Sequence, residues 1–178
     1  SFEILHVGQR IKLLERDFAP AIEAVQKADL LLFSYPVYTF IAPSQLHRFI
    51  ELLKASGADL KGKFATQIST SKHFYDVTAH RYIEDNCHDL GLNYIRGLSA
   101  DMDDLLTEKG QKEARDFMQY VIWCVAQQIC EPSSVKNTPA KQVPVTLPAE
   151  TVEPKQSGDV VIITDCEADN VQLQQMIA

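Results

Sequence analysis

The loop Pro36-Val37-Tyr38-Thr39-Phe40 is rich in aromatic residues and follows directly on the apolar run Leu30-Leu31-Leu32-Phe33. A run without alternation suits a strand buried on both faces of a parallel sheet. Pro36 has no N–H to give to a sheet ladder, so the strand should end near Tyr35. Pro43 or Ser44 then opens a helix, with Leu46, Phe49, Ile50 and Leu53 at helical spacing. Open α/β sheets hold their ligands in this arrangement, at the carboxyl end of a strand. A second loop, Thr70-Ser71-Lys72-His73-Phe74-Tyr75, follows the strand expected at Phe64–Ser69 and offers hydroxyl and imidazole groups. It reads equally as a helix-leading turn with Asp76 as the cap.

Other chemistries find little support. His47, His80 and His88 fall on expected helices without carboxylates at ligand spacing, so they read as surface or core residues. Asp101, Asp103 and Asp104 lack the glycine and terminal glutamate of a calcium loop and read as a solvated turn. The four cysteines, Cys87, Cys124, Cys130 and Cys166, show no paired spacing, which fits reduced thiols in a cytoplasmic protein. A net charge of -7 argues against nucleic-acid binding. No run approaches the length of a membrane span, and no internal repeat is seen.

The elements that must position these loops alternate. Phe2–Val7 reads as a strand, and Asp17 could cap a helix over about 18–27. The Pro43 helix ends near Gly57. Asp76 could cap a helix from Val77 to Leu90, stopping at Gly91. Asn93–Leu98 reads as a fourth strand. A long helix spans about 108–130, with Phe117, Val121, Ile122 and Val125 on its inner face. Strands alternating with helices imply right-handed βαβ units and a parallel sheet, the α/β class. After residue 130 the composition changes. Residues 131–158 hold five of the eight prolines and read as an extended linker. Residues 159–178 then give an apolar strand, Asp159–Thr164, and the start of an amphipathic helix.

Several motifs carry a family resemblance. Pro36-Val37-Tyr38, then Pro43, Leu46, His47, Phe49 and Ile50, then Leu60-Lys61-Gly62-Lys63 before a strand and a Ser-Thr-Ser loop, are similar to the flavodoxin-like FMN-dependent NAD(P)H oxidoreductases and quinone reductases. His47 stands where a lysine is usual, and Glu51-Leu52 where Asp-Arg often closes the helix. The resemblance covers residues 1–130. It implies a three-layer, doubly wound sheet ordered 2-1-3-4-5, with FMN at the switch point.

With Phe2–Val7 as the second strand of that order, the first strand is missing. Either Asp159–Thr164 supplies it, by permutation or a swap between chains, or it lies upstream and that segment begins a second domain. The loop after it, Thr164–Asn170, carries three carboxylates that would repel the flavin phosphate.

The resemblance further implies that Pro36, Val37, Tyr38, Thr39 and Phe40 pack on the ring or bond its polar edge, with Thr70, Ser71 and His73 as donors to its carbonyls. The function it implies is hydride transfer from NAD(P)H, through FMN, to a quinone or other small acceptor, in a homodimer or with a multidomain partner. No catalytic acid or base is required, because the flavin does the chemistry. The alternative is a non-catalytic flavodoxin-like interaction module that docks partners through the aromatic loop.

Overall fold

The computed structural model describes residues 2–72 and 76–133. Two helices come first, α1 (Val7–Leu14) and α2 (Ala19–Lys27), followed by β1 (Leu30–Pro36), α3 (Ser44–Ala55), β2 (Phe64–Ser71) and α4 (Val77–Asp89). The short strands β3 (Asn93–Tyr94) and β4 (Leu98–Asp101) and the long helix α5 (Glu108–Gln127) complete the described chain. All strand pairs are parallel: β1 with β2, and β2 in turn with β3 and β4. The architecture is therefore α/β, as the alternation implies.

Helices α2, α3 and α4 bury the faces their spacing defines, whereas on α5 Ile122, expected on the inner face, is exposed. Ala21 and Val25 of α2, Leu46, Phe49, Ile50 and Leu53 of α3, and Ala79, Ile83 and Cys87 of α4 meet Phe33, Tyr35 and Ala65 on one face of the sheet. On the other face, Val121 and Cys124 of α5 close over Phe64 and Ile95. Fully burying a side chain such as Ile50 or Leu53 contributes about 1.5–3 kcal/mol. Burial also pushes the Cys87 thiol up to about 12, so it packs as a small apolar group.

Three expectations are corrected. Phe2–Val7 is not a strand: residues 2–6 are irregular, Phe2 and Ile4 are exposed, and helix α1 begins at Val7. Only Leu5, Val7, Ile11 and Leu14 reach the core, and the 7, 11, 14 spacing is helical. Second, β1 is not buried on both faces. Phe33 and Tyr35 are buried, but Leu32 is 43% exposed and Ser34 points outward. Among the described residues β1 lies at the border of the sheet, and α5 reaches only its first residue, Leu30. Third, Asn93–Leu98 is not one strand, because the chain breaks between β3 and β4 around Gly97.

Gly97 explains that break. It lies against Gln67 so closely that an added Cβ would sit 2.2 Å from Gln67 Cγ and 2.5 Å from its carbonyl oxygen. The Gln67 side chain, wholly buried in β2, ties the layers together. Its Oε1 accepts from the Tyr35 hydroxyl of β1 at 2.5 Å. Its Nε2 donates to the His80 carbonyl of α4 at 3.0 Å and to the Tyr94 hydroxyl of β3. The remaining calls, the Pro-rich 131–158 linker beyond residue 133 and the 159–178 segment, lie outside the described residues.

Gly97→Ala should cost about 3 kcal/mol through this overpacking, read as a lower midpoint in urea. Gly8→Ala, at a helical site where nothing lies within 4 Å of the added Cβ, should instead gain about 0.5–1 kcal/mol.

Candidate functional site

The carboxyl ends of β1, β2 and β4 form one rim. Pro36 pairs in register with Thr70, and Ser71 with Asp101. The Val37 N–H donates to the Thr70 carbonyl at 2.9 Å, and the Met102 N–H to the Ser71 carbonyl at 3.0 Å. Three loops are thereby laced side by side on a backbone framework.

Beyond Val37 the chain makes a two-residue hairpin. Tyr38 and Ile41 exchange N–H···O bonds of 3.0 and 3.2 Å, leaving Thr39 and Phe40 at the tip. Both tip residues have positive φ, 48° and 76°, the condition for a type I′ turn. Such turns favour Asn-Gly. A β-branched Thr and a Phe there hold strain of about 1–3 kcal/mol each, and strain of this kind clusters at ligand clamps. The turn presents Tyr38 (63% exposed), Phe40 and Ile41 outward, while Ala42 is buried and anchors the return to α3.

On the β2 side, Thr70 is half-buried and Ser71 buried. Lys72 reaches across to β4, 3.0 Å from the Asp103 carboxylate and 3.9 Å from that of Asp101. The hydrogen bond to Asp103 raises the Lys72 pKa. The Asp101 N–H donates to Asp104 Oδ2 at 3.1 Å, the Asp103 N–H donates to Asp101 Oδ1 at 3.3 Å, and no metal-binding group of side chains is found among the described residues.

The structure thus brings Pro36, Val37, Tyr38, Thr39 and Phe40 beside Thr70 and Ser71 on one rim, while His73 lies outside the described residues. The site is a shelf. The small cavity of about 150 Å³ lined by Ile95, Tyr120, Cys124, Ile129, Cys130 and Glu131 is at the far end of α5.

One polar cluster escapes the sequence reading. His80 Nε2 lies 2.7 Å from the wholly buried Ser69 Oγ, one residue before Thr70. Asp76 precedes α4 but makes no side-chain cap, contrary to expectation. Its carboxylate accepts from the Ser99 hydroxyl of β4 and lies 4.0 Å from His80 Nε2. Burial lowers the His80 pKa, against the opposing pull of Asp76. The readable signal was the spacing of Asp76 and His80, four apart and so on one helical face.

A parallel sheet with helices on its faces and a shelf at its carboxyl rim defines the flavodoxin-like fold. Solved structures share the fold. The complex of general stress protein 14 with FMN from Treponema denticola is 14% identical, with a TM-score of 0.50, covering 63% of this chain and 77% of that one. An NADH:FMN oxidoreductase in its apo form is 20% identical, with a TM-score of 0.51, covering 70% and 66%. A candidate quinone reductase from Klebsiella pneumoniae is 18% identical, with a TM-score of 0.50, covering 80% and 67%. No curated protein matches the sequence. Residues 8–95, about half of the chain, match the family model of the NADPH-dependent FMN reductases.

Thr39→Asn should relieve strain at the hairpin tip and raise stability by about 1 kcal/mol, read as a higher urea midpoint with an unchanged m-value.

Proposed function

We propose that the chain binds the ring of FMN on the rim and serves NAD(P)H-dependent reduction of a small acceptor, a quinone among them. The observation that carries this reading is the strained Tyr38–Ile41 turn laced to Thr70 within the matched stretch. When bound, FMN supplies the chemistry, taking hydride from the nicotinamide and passing electrons to the acceptor.

The donor set fits one end of that cofactor. Tyr38 and Phe40 offer apolar faces of ring size. The Thr70 and Ser71 hydroxyls would serve as donors to carbonyl oxygens of a polar ring edge. Asp101, Asp103 and Asp104 crowd the β4 end, so a phosphate is disfavoured there. Pro36 and Val37 fix the turn in place rather than touch the acceptor. An exposed shelf needs a second wall to exclude water, and the outward Tyr38, Phe40 and Ile41 suit a second copy of the chain that supplies it. His73 follows Lys72 and remains our candidate for a further donor to the ring.

Protein purified and incubated with FMN should show flavin absorbance that bleaches under NADPH and returns with a quinone. Tyr38→Ala should weaken FMN binding about tenfold, a loss of about 1.4 kcal/mol, by fluorescence titration. Protein that stays colourless with excess FMN would leave an interaction module, docking through the same turn, as the surviving reading.

A further inference from the structure

The Ser69–His80–Asp76–Ser99 cluster lies just beneath the rim and outside the ring-binding set. It joins three elements by side chains: Ser69 from β2, His80 and Asp76 from α4, and Ser99 from β4. Two features separate it from ordinary core packing. Asp76 occupies the position that caps α4, yet makes no side-chain cap and instead binds Ser99. Ser69 is wholly buried, so the orientation of its hydroxyl is set by whatever His80 Nε2 carries.

We propose that His80 is a positioning residue of the rim, fixing Ser69 directly and the start of β4 through Asp76, so that its protonation re-sets the Ser69–Ser71 segment. The proton bookkeeping is simple. With Nε2 bare, the Ser69 hydroxyl donates to it at 2.7 Å. With a proton on Nε2, the ring donates to Ser69 Oγ, and the Ser69 hydrogen must turn to another acceptor. The imidazolium is at the same time drawn towards Asp76 Oδ2, 4.0 Å away. Thr70 and Ser71 follow in the same strand, and their carbonyls hold the Val37 and Met102 amides, so a shift at Ser69 reaches all three loops.

The charged groups facing His80 are few. Asp76 and Glu84 on α4 favour the protonated ring, whereas Arg96, between β3 and β4, opposes it along with burial. The net effect is a pKa below the ordinary histidine range. Because the folded pKa lies under the unfolded one, the stability this group contributes is present above the ordinary range and is lost as the pH falls through it. The role in flavin binding rests on the functional reading above; the coupling within the rim does not.

The test uses the full 178-residue chain labelled with ¹⁵N. The amide signals of Ser69, Thr70, Ser71 and Ser99 are followed from about pH 8 to about pH 5, together with FMN affinity by fluorescence. The four signals should move with one midpoint below that of an ordinary histidine, and affinity should fall about fivefold across it. His80→Gln keeps a partner for Ser69 but takes up no proton. Its signals should stay at their high-pH positions and its affinity should vary less than about twofold. Asp76→Asn, which removes the carboxylate favouring the imidazolium, should move the wild-type midpoint further down.

Signals that stay still in the wild type, that move equally in His80→Gln, or a midpoint unmoved by Asp76→Asn would overturn the coupling. Moving signals with an FMN affinity indifferent to pH would overturn the role at the rim. Moving signals in a protein that takes up no FMN at any pH would support the coupling and overturn the flavin reading.

Discussion

The fold turns on one buried amide. Gln67 sits in the middle of β2 with no exposed surface, and its side chain meets Tyr35 of β1, Tyr94 of β3 and the His80 carbonyl of α4. A primary amide buried without partners would cost several kcal/mol, and here donors and acceptors from three other elements meet it. That requirement sets the register of β1 against β2 and holds the first turn of α4 against the sheet. It also brings Gly97 into contact, where no Cβ fits. The phenols belong to the same arrangement: burial keeps Tyr35 far above its usual range and raises Tyr94 to about 12, so both stay neutral.

Much of this was legible in the sequence, for a clear physical reason. Leu30–Phe33 is an unbroken apolar run and Phe64–Ser69 a short segment between turn residues, and both lie in strands. The α3, α4 and α5 helices follow from apolar positions at helical spacing, and Gly57 and Gly91 end two of them with positive φ. The aromatic loop after β1 was also readable, because a proline beside an apolar run ends a strand.

The failures arise where short-range pattern and long-range contact compete. Phe2–Val7 is as apolar as a strand, but without a neighbouring strand among the described residues its residues gain nothing from being extended. Val7 instead begins a helix. The β3–β4 break depends on Gly97 meeting Gln67, thirty residues away, and no local rule encodes that. Asp76 looked like a cap because its position is right; its carboxylate is recruited by Ser99, which only the folded sheet brings near. Thr39 and Phe40 carry no turn signature at all, since neither favours positive φ. Their conformation is imposed by the bonds that Tyr38 and Ile41 exchange and by the anchoring of Ala42 and Pro43.

Parallel strands have a further consequence for encounters in solution. Each helix that follows a strand starts at the same rim, so α3, α4 and α5 bring their N-terminal, partly positive ends there. Around α3 this is not cancelled locally, since its first turn holds no acidic residue and Pro43 offers no side-chain acceptor. At the other end of the rim, Asp101, Asp103 and Asp104 supply the opposite sign. A molecule carrying its charge at one end is therefore turned by this lopsided field before it touches the surface, and rising ionic strength weakens that guidance first.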